Sequence, residues 1–179
     1  MSYKKYLQDY RVEEYTDNKG RVRSTAVYIG GGYILSPDIS VRDRRFVLAA
    51  SILCWLALIG ALLPRTSAVQ MLYVIYPFTF SALPLYLVTG AAVELLFAEE
   101  KMKRERAEKI SNRLPSASFF TALLSAAAFL GFTATAVFRW QDMLSGDMLF
   151  CAFSLVFAAA ATFVFFKCRA IKAVKADND

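Results

Sequence analysis

Four long stretches without a single charged residue constrain this chain more than any other feature. They contain 19, 28, 25 and 19 residues and cover positions 46–64, 66–93, 114–138 and 148–166. A helix needs about 20 mostly apolar residues to cross the ~30 Å hydrocarbon core of a bilayer. The sequence therefore predicts an all-α integral membrane protein, a four-helix bundle. Its predicted spans are 46–64, 68–98, 116–138 and 148–166.

The basic residues predict how these spans are oriented. Of the 21 Lys and Arg residues, 19 lie in 1–45, 101–113 and 167–175, and the other two are Arg65 and Arg139. Segments rich in Lys and Arg therefore alternate with segments nearly devoid of them, and the richer side of a membrane protein is usually cytoplasmic. We expect two helical hairpins, with the N-terminus, the central loop and the tail at 167–179 all cytoplasmic.

The polar head at 1–45 has the pattern of a small β-structure. Two runs rich in residues that favour strands flank Asp17-Asn18-Lys19-Gly20, a sequence suited to a tight turn. We predict a β-hairpin at 10–29. Because an isolated hairpin is only marginally stable in water, it needs a support. The candidates are the short run 33–35, the inner ends of the spans, lipid headgroups or another chain.

The second span is the most irregular of the four. Pro77 and Pro84 lie inside it and predict helix kinks, and the helix is expected to continue to about residue 112. On a helical projection, Tyr76, Thr79, Tyr86 and Glu94 share one arc, and Tyr73 lies about 60° beyond its edge. These five are the candidate lining of a path or cavity. Glu94 lies close to the cytoplasmic edge, so we interpret it first as a carboxylate that reaches water, and second as a functional group.

The basic residues next to the spans predict contact with anionic lipid headgroups. The expected contacts are Arg42, Arg44, Arg45, Lys101, Lys103, Arg104, Lys167 and Arg169. Most of the positive excess lies against the membrane, so nucleic acid is not expected as a partner. Small residues four apart, such as Ser118 and Ala122 in the third span or Ser154 and Ala158 in the fourth, allow close helix packing. That packing is either within the chain or between copies.

The composition gives no support for a reactive centre. The chain has no histidine, which excludes histidine-based metal sites and general bases. Its three cysteines form no Cys-x-x-Cys motif. We therefore assign no catalytic, metal or cofactor-binding residue, and expect no cofactor.

Three functional interpretations remain open at this stage. The leading one is a non-enzymatic accessory or scaffolding protein that acts through contacts with a protein partner. The alternative is a small homo-oligomeric transporter or channel whose second span lines the path, and a faint similarity between 46–65 and 120–139 would fit a parallel repeat. A membrane enzyme acting on lipid or peptide is the least favoured, because the acidic residues lie nearly all in loops. Short loops and tails favour a bacterial cytoplasmic membrane.

Overall fold

The computed structural model describes residues 9–16, 21–29, 31–36, 39–98, 101–138 and 145–175. These residues are mostly helical, with short strands at one end of the bundle. In chain order the elements are β1 (Tyr10–Thr16), β2 (Val22–Tyr28), β3 (Tyr33–Ser36), α1 (Val41–Leu62), α2 (Leu72–Phe80), α3 (Ala82–Leu96), α4 (Arg104–Glu108), α5 (Leu114–Phe138), α6 (Ser145–Cys168) and β4 (Lys172–Lys175). A 3₁₀ turn at Ser67–Gln70 precedes α2, and a π turn at Lys109–Arg113 joins α4 to α5.

Among the described residues, four helices are long and apolar enough to cross a membrane, as predicted: α1, α2 with α3, α4 with α5, and α6. The first begins five residues before the charge-free stretch at 46. Its start is set by Ser40, whose hydroxyl oxygen accepts a hydrogen bond of 3.2 Å from the backbone N–H of Asp43. This is the interaction of a helix N-cap, and it allows Val41 and the charged residues 42–45 to begin the helix.

The second apolar stretch is divided into two helices at Ser81. Pro84 has no N–H to donate to the carbonyl of Phe80, and its ring crowds that carbonyl. The side chain of Ser81 is fully buried, and its hydroxyl donates to the carbonyl of Phe78 at 2.5 Å. The first helix therefore ends at Phe80, four residues before Pro84, whereas Pro77 lies inside α2 without ending it.

The second span ends at Leu96 and does not continue to residue 112. Met102 instead pairs with Tyr33 in an antiparallel bridge with two backbone hydrogen bonds of 3.0 Å. The side chain of Met102 is buried in the core. This burial and the bridge together outweigh the helix predicted at Met102, and the next described helix begins at Arg104.

The predicted hairpin is present as β1 and β2, paired antiparallel with Tyr10 opposite Tyr28 and Thr16 opposite Val22. Its turn, 17–20, lies outside the described residues. The run at 33–35 is a strand as well, but its main partner comes from the other end of the sequence: β3 pairs antiparallel with β4, with Ile34 opposite Val174. Part of the expected tail is therefore an ordered strand that closes one end of the bundle.

Two buried clusters hold the helices together. The first lies toward the end opposite the strands, where the ring centroid of Phe78 is 5.2 Å from that of Phe150 and 5.7 Å from that of Phe157. The second lies beneath the strands and contains Val47, Leu95, Ile110 and Cys168. The small residues Ser118, Ser154 and Ala158 are buried within the chain, so much of the predicted close packing is intrachain.

Candidate functional site

The polar stripe predicted on the second span faces away from the core of the bundle. Tyr73, Tyr76 and Tyr86 are 58%, 55% and 71% exposed, and Thr79 is exposed as well. The Tyr73 hydroxyl is 2.5 Å from that of Thr135 on α5. In a single chain the stripe therefore lines no internal path. A path lined by these residues would have to lie between copies of the chain.

Glu94, near the end of α3, is part of a group of charges. Its Oε2 is 3.3 Å from Nε of Arg106, and its Oε1 is 3.8 Å from Nζ of Lys109. Lys109 is also 3.2 Å from Oε1 of Glu105. The Glu94 side chain is about one-third exposed, at 32%. The carboxylate thus lies at the edge of the apolar region and is paired there with cations from the segment that follows α3.

A cavity of about 200 Å³ lies beside this charged group. Of the five residues predicted as path lining, it brings together Tyr86 and Glu94. Its other lining residues are Leu87, Gly90, Ala91, Lys109 and Arg113. An added Cβ at Gly90 would meet nothing within 4 Å, so the helix surface is open at this point. Sequence reasoning extended the helix of the second span to about residue 112 and did not place the cations of 101–113 against that span.

A larger groove of about 600 Å³ runs between α3 and α5. Its lining is mostly apolar, from Leu83, Leu87, Phe120 and Leu124, with Asn112, Arg113 and Ser116 at one end. Leu87 and Arg113 line both this groove and the smaller cavity, so the two are adjacent. No sequence pattern marked the groove, because it depends on how α3 and α5 pack.

The eight predicted headgroup contacts differ in what their side chains do. Arg44 supports the fold: its Nη1 donates to the carbonyl of Ala98 at 2.6 Å, and its Nε donates to that of Ile39 at 3.0 Å. Lys167 is 3.0 Å from Oδ1 of Asp43, which links α6 to the first turn of α1. Arg104 is 3.0 Å from Oε1 of Glu108 and 3.6 Å from Oδ2 of Asp9.

The remaining predicted contacts lie at the surface of the same end of the bundle. Arg45 and Lys101 are exposed. Three others lie over aromatic rings, 4.9–5.9 Å from the centroid: Arg42 over Phe46, Lys103 over Tyr10, and Arg169 over Phe166. The cations predicted on one side of the membrane thus share one end of the molecule, called the basic end below.

Sequence reasoning missed a buried carboxylate at the opposite end. Asp147, in the first turn of α6, is fully buried and accepts hydrogen bonds from the connection between α1 and α2. The donors are the Thr66 hydroxyl at 2.7 Å, the Ser67 backbone N–H at 2.7 Å and the Ser67 hydroxyl at 3.0 Å. The sequence gives one signal for this residue, an acidic side chain at the start of an apolar helix. A carboxylate there interacts favourably with the helix dipole.

No cluster of metal ligands appears in the described part of the chain, where no three His, Cys, Asp or Glu side chains are close enough together to hold an ion. All three cysteines are free; Cys54 and Cys168 are buried and Cys151 is partly exposed. Comparison with protein-family models, with curated proteins and with solved structures gives no match. Any functional conclusion therefore depends on the geometry described above.

Proposed function

We propose that this chain is a multi-pass membrane protein that acts as a non-enzymatic accessory or scaffold, with the β1–β2 hairpin as the docking site for a protein partner. The observation that carries this proposal is the exposure of the hairpin. Every side chain between Arg11 and Glu14 on β1, and between Ser24 and Val27 on β2, is exposed.

The hairpin has one face that suits a protein contact. Alternation along the strands and the pairing of Val12 with Ala26 place both on the same face as Val22, whereas Arg11 and Glu13 are on the other. Val12 and Val22 are 67% and 68% exposed. A two-stranded sheet is only marginally stable alone. An exposed face with apolar side chains is therefore well suited to a partner that covers it.

The hairpin is attached at the basic end, which fixes where the partner would bind. Asp9, just before β1, is 3.6 Å from Nη1 of Arg104, and Nζ of Lys103 lies over the ring of Tyr10 at 5.9 Å. The positive-inside bias makes this end cytoplasmic. We therefore propose that the partner binds at the cytoplasmic surface of the membrane, and the short loops favour a bacterial cytoplasmic membrane.

Site-specific photo-crosslinking in the native membrane tests this proposal. A photoreactive residue at Val12 should crosslink to another protein, and the product should exceed the mass of one chain by that of the partner. The matched control is Glu13, which is the next residue and is also exposed, but lies on the opposite face. Crosslinking should be at least several-fold weaker there.

Each other outcome rejects the docking proposal in a specific way. Products at twice the mass of the chain would show that copies of this chain cover the hairpin. Adducts to lipid alone would place the apolar face on the membrane surface. Equal crosslinking from Val12 and Glu13 would mean that the hairpin has no preferred contact face.

The outward tyrosines favour a second candidate function, a homo-oligomeric channel or transporter with its path between subunits. Tyr73, Tyr76 and Tyr86 place hydroxyl groups on a face that would otherwise contact lipid. In proteoliposomes, Tyr86→Phe and Glu94→Gln should then change flux without lowering expression. Unchanged flux in both variants would remove this candidate.

A further inference from the structure

We propose that the groove between α3 and α5 is a binding site for one anionic glycerophospholipid. One acyl chain would occupy the groove, and the phosphate would lie at Arg113 and Lys109. This inference is independent of the hairpin. It assigns a defined site to Lys109 and Arg113, which are not among the eight predicted headgroup contacts.

The length of the groove matches one leaflet of a bilayer. It extends from Arg113, just before α5, to Leu124 on α5, eleven residues further along, which is roughly 16 Å at a rise of 1.5 Å per residue. The hydrocarbon core is ~30 Å thick, so one leaflet contributes about half of that. The groove therefore runs from the basic end to about the middle of the membrane, the depth of a single acyl chain.

The lining of the groove changes from polar to apolar along this length, as a lipid changes from headgroup to acyl chain. Leu83, Phe120 and Leu124 provide apolar surface for a chain, whereas Asn112, Arg113 and Ser116 lie at the end where a headgroup would be. A volume of about 600 Å³ is within the range of small-molecule sites in proteins. Basic pockets between transmembrane helices on the cytoplasmic side are a recurring way to bind anionic headgroups.

The charges at this end favour an anionic lipid over a zwitterionic one. Three cations, Arg106, Lys109 and Arg113, are gathered near two carboxylates, Glu94 and Glu105. The cations that line the cavity and the groove would attract a headgroup with a net negative charge. Both Lys109 and Arg113 line the cavity next to the groove, and Arg113 lines the groove as well.

Native mass spectrometry of the full chain, released from nanodiscs of phosphatidylcholine with a minor fraction of phosphatidylglycerol, tests the proposal. The wild-type chain should retain phosphatidylglycerol at roughly tenfold or more above its share of the bilayer, since each cation near the surface attracts anionic lipid. The double variant Lys109→Gln/Arg113→Gln should reduce this enrichment to near the bulk ratio. Arg11→Gln/Arg21→Gln removes two exposed cations of the hairpin, which are not among the predicted headgroup contacts, and should leave the enrichment unchanged.

A second pair of variants tests the acyl-chain part of the site without altering charge. Leu87 lines both cavities, and Leu87→Trp should fill the groove and abolish retention of any lipid at this site. The matched control is Leu130→Trp, which adds the same bulk at an exposed position of α5 outside the groove. Circular dichroism and thermal melting in detergent identify any variant that does not fold.

Three results would overturn the proposal. The first is equal retention of phosphatidylglycerol and phosphatidylcholine by the wild-type chain. The second is full enrichment in the folded double variant or in folded Leu87→Trp. The third is a dimer without a lipid adduct, which would place a second copy of the chain in the groove.

Discussion

The hydroxyl of Thr66 donates a hydrogen bond of 2.7 Å to Oδ1 of Asp147, 81 residues further along the chain. Ser67 adds its backbone N–H to the same oxygen and its hydroxyl to Oδ2. Both oxygens of this buried carboxylate are therefore occupied by the connection between the first two spans. The contact joins the two helical hairpins at the end opposite the strands.

Replacing Asp147 by Asn should destabilise the protein, because an amide nitrogen cannot accept a hydrogen bond from a hydroxyl or an N–H. At least one buried donor at Thr66 or Ser67 would lose its acceptor, at a cost of about 1–3 kcal/mol in the free energy of unfolding. Denaturant titration in detergent micelles measures the loss. Asp43→Asn is the matched control: Asp43 is an exposed member of an ion pair with Lys167, so we expect a loss below about 1 kcal/mol. Equal losses in the two variants would contradict a special role for Asp147.

Two glycines on apolar helices should respond oppositely to an added methyl group. At Gly146 a Cβ would collide with the carbonyl oxygen of Arg65. This is a backbone atom, which cannot move away as the end of a flexible side chain can. Gly146→Ala should therefore lower the melting temperature or prevent folding. At Gly90 the same atom would meet nothing within 4 Å, and Gly90→Ala should leave stability unchanged or raise it by up to ~1 kcal/mol through helix propensity. A similar effect of both substitutions on thermal melting would disagree with the close contact at Gly146.

The features that could be predicted from the sequence are those that depend on local sequence patterns. The lengths of the charge-free stretches predicted the four helices, and the turn residues at 17–20 predicted the pairing of β1 with β2. Both signals lie within a single segment of the chain. For the same reason the break near Pro84 was partly predictable, since proline acts on a carbonyl only four residues away.

The features that were missed depend on contacts between distant segments. Asp147 meets Thr66 across 81 residues, and Ile34 pairs with Val174 across a larger separation. No local pattern encodes such pairs. Met102 shows this most clearly. Its neighbours in the sequence favour a helix, but burial beneath the strands and pairing with Tyr33 impose an extended backbone. The groove between α3 and α5 was missed because it exists only once the helices have packed.

The strand pair that closes the basic end should contribute to stability through its buried side. Ile171, just before β4, is buried in the cluster beneath the strands. Ile171→Ala should lower the free energy of unfolding by about 2–5 kcal/mol, the usual cost of such a cavity. Val174→Ala is the control, because Val174 is an exposed side chain of β4, and we expect a loss within about 0.5 kcal/mol. Thermal melting of the two variants under identical conditions compares them, and equal melting temperatures would mean that this end contributes little to stability.

Labelling of single cysteines should place both ends of the described chain on the same side of the membrane. Thr25 lies in the hairpin, Val174 in β4, and Ser145 at the start of α6, and all three are exposed. In a background without the native cysteines, a membrane-impermeant maleimide should reach Thr25→Cys and Val174→Cys only in inside-out vesicles. Ser145→Cys should react only in right-side-out vesicles, because the 24 residues of α6 separate it from the basic end and the positive-inside bias predicts that end to be cytoplasmic. Labelling of Ser145→Cys and Val174→Cys from the same side would show that α6 does not cross the membrane. Such a result would contradict the membrane orientation on which both the docking site and the lipid site depend.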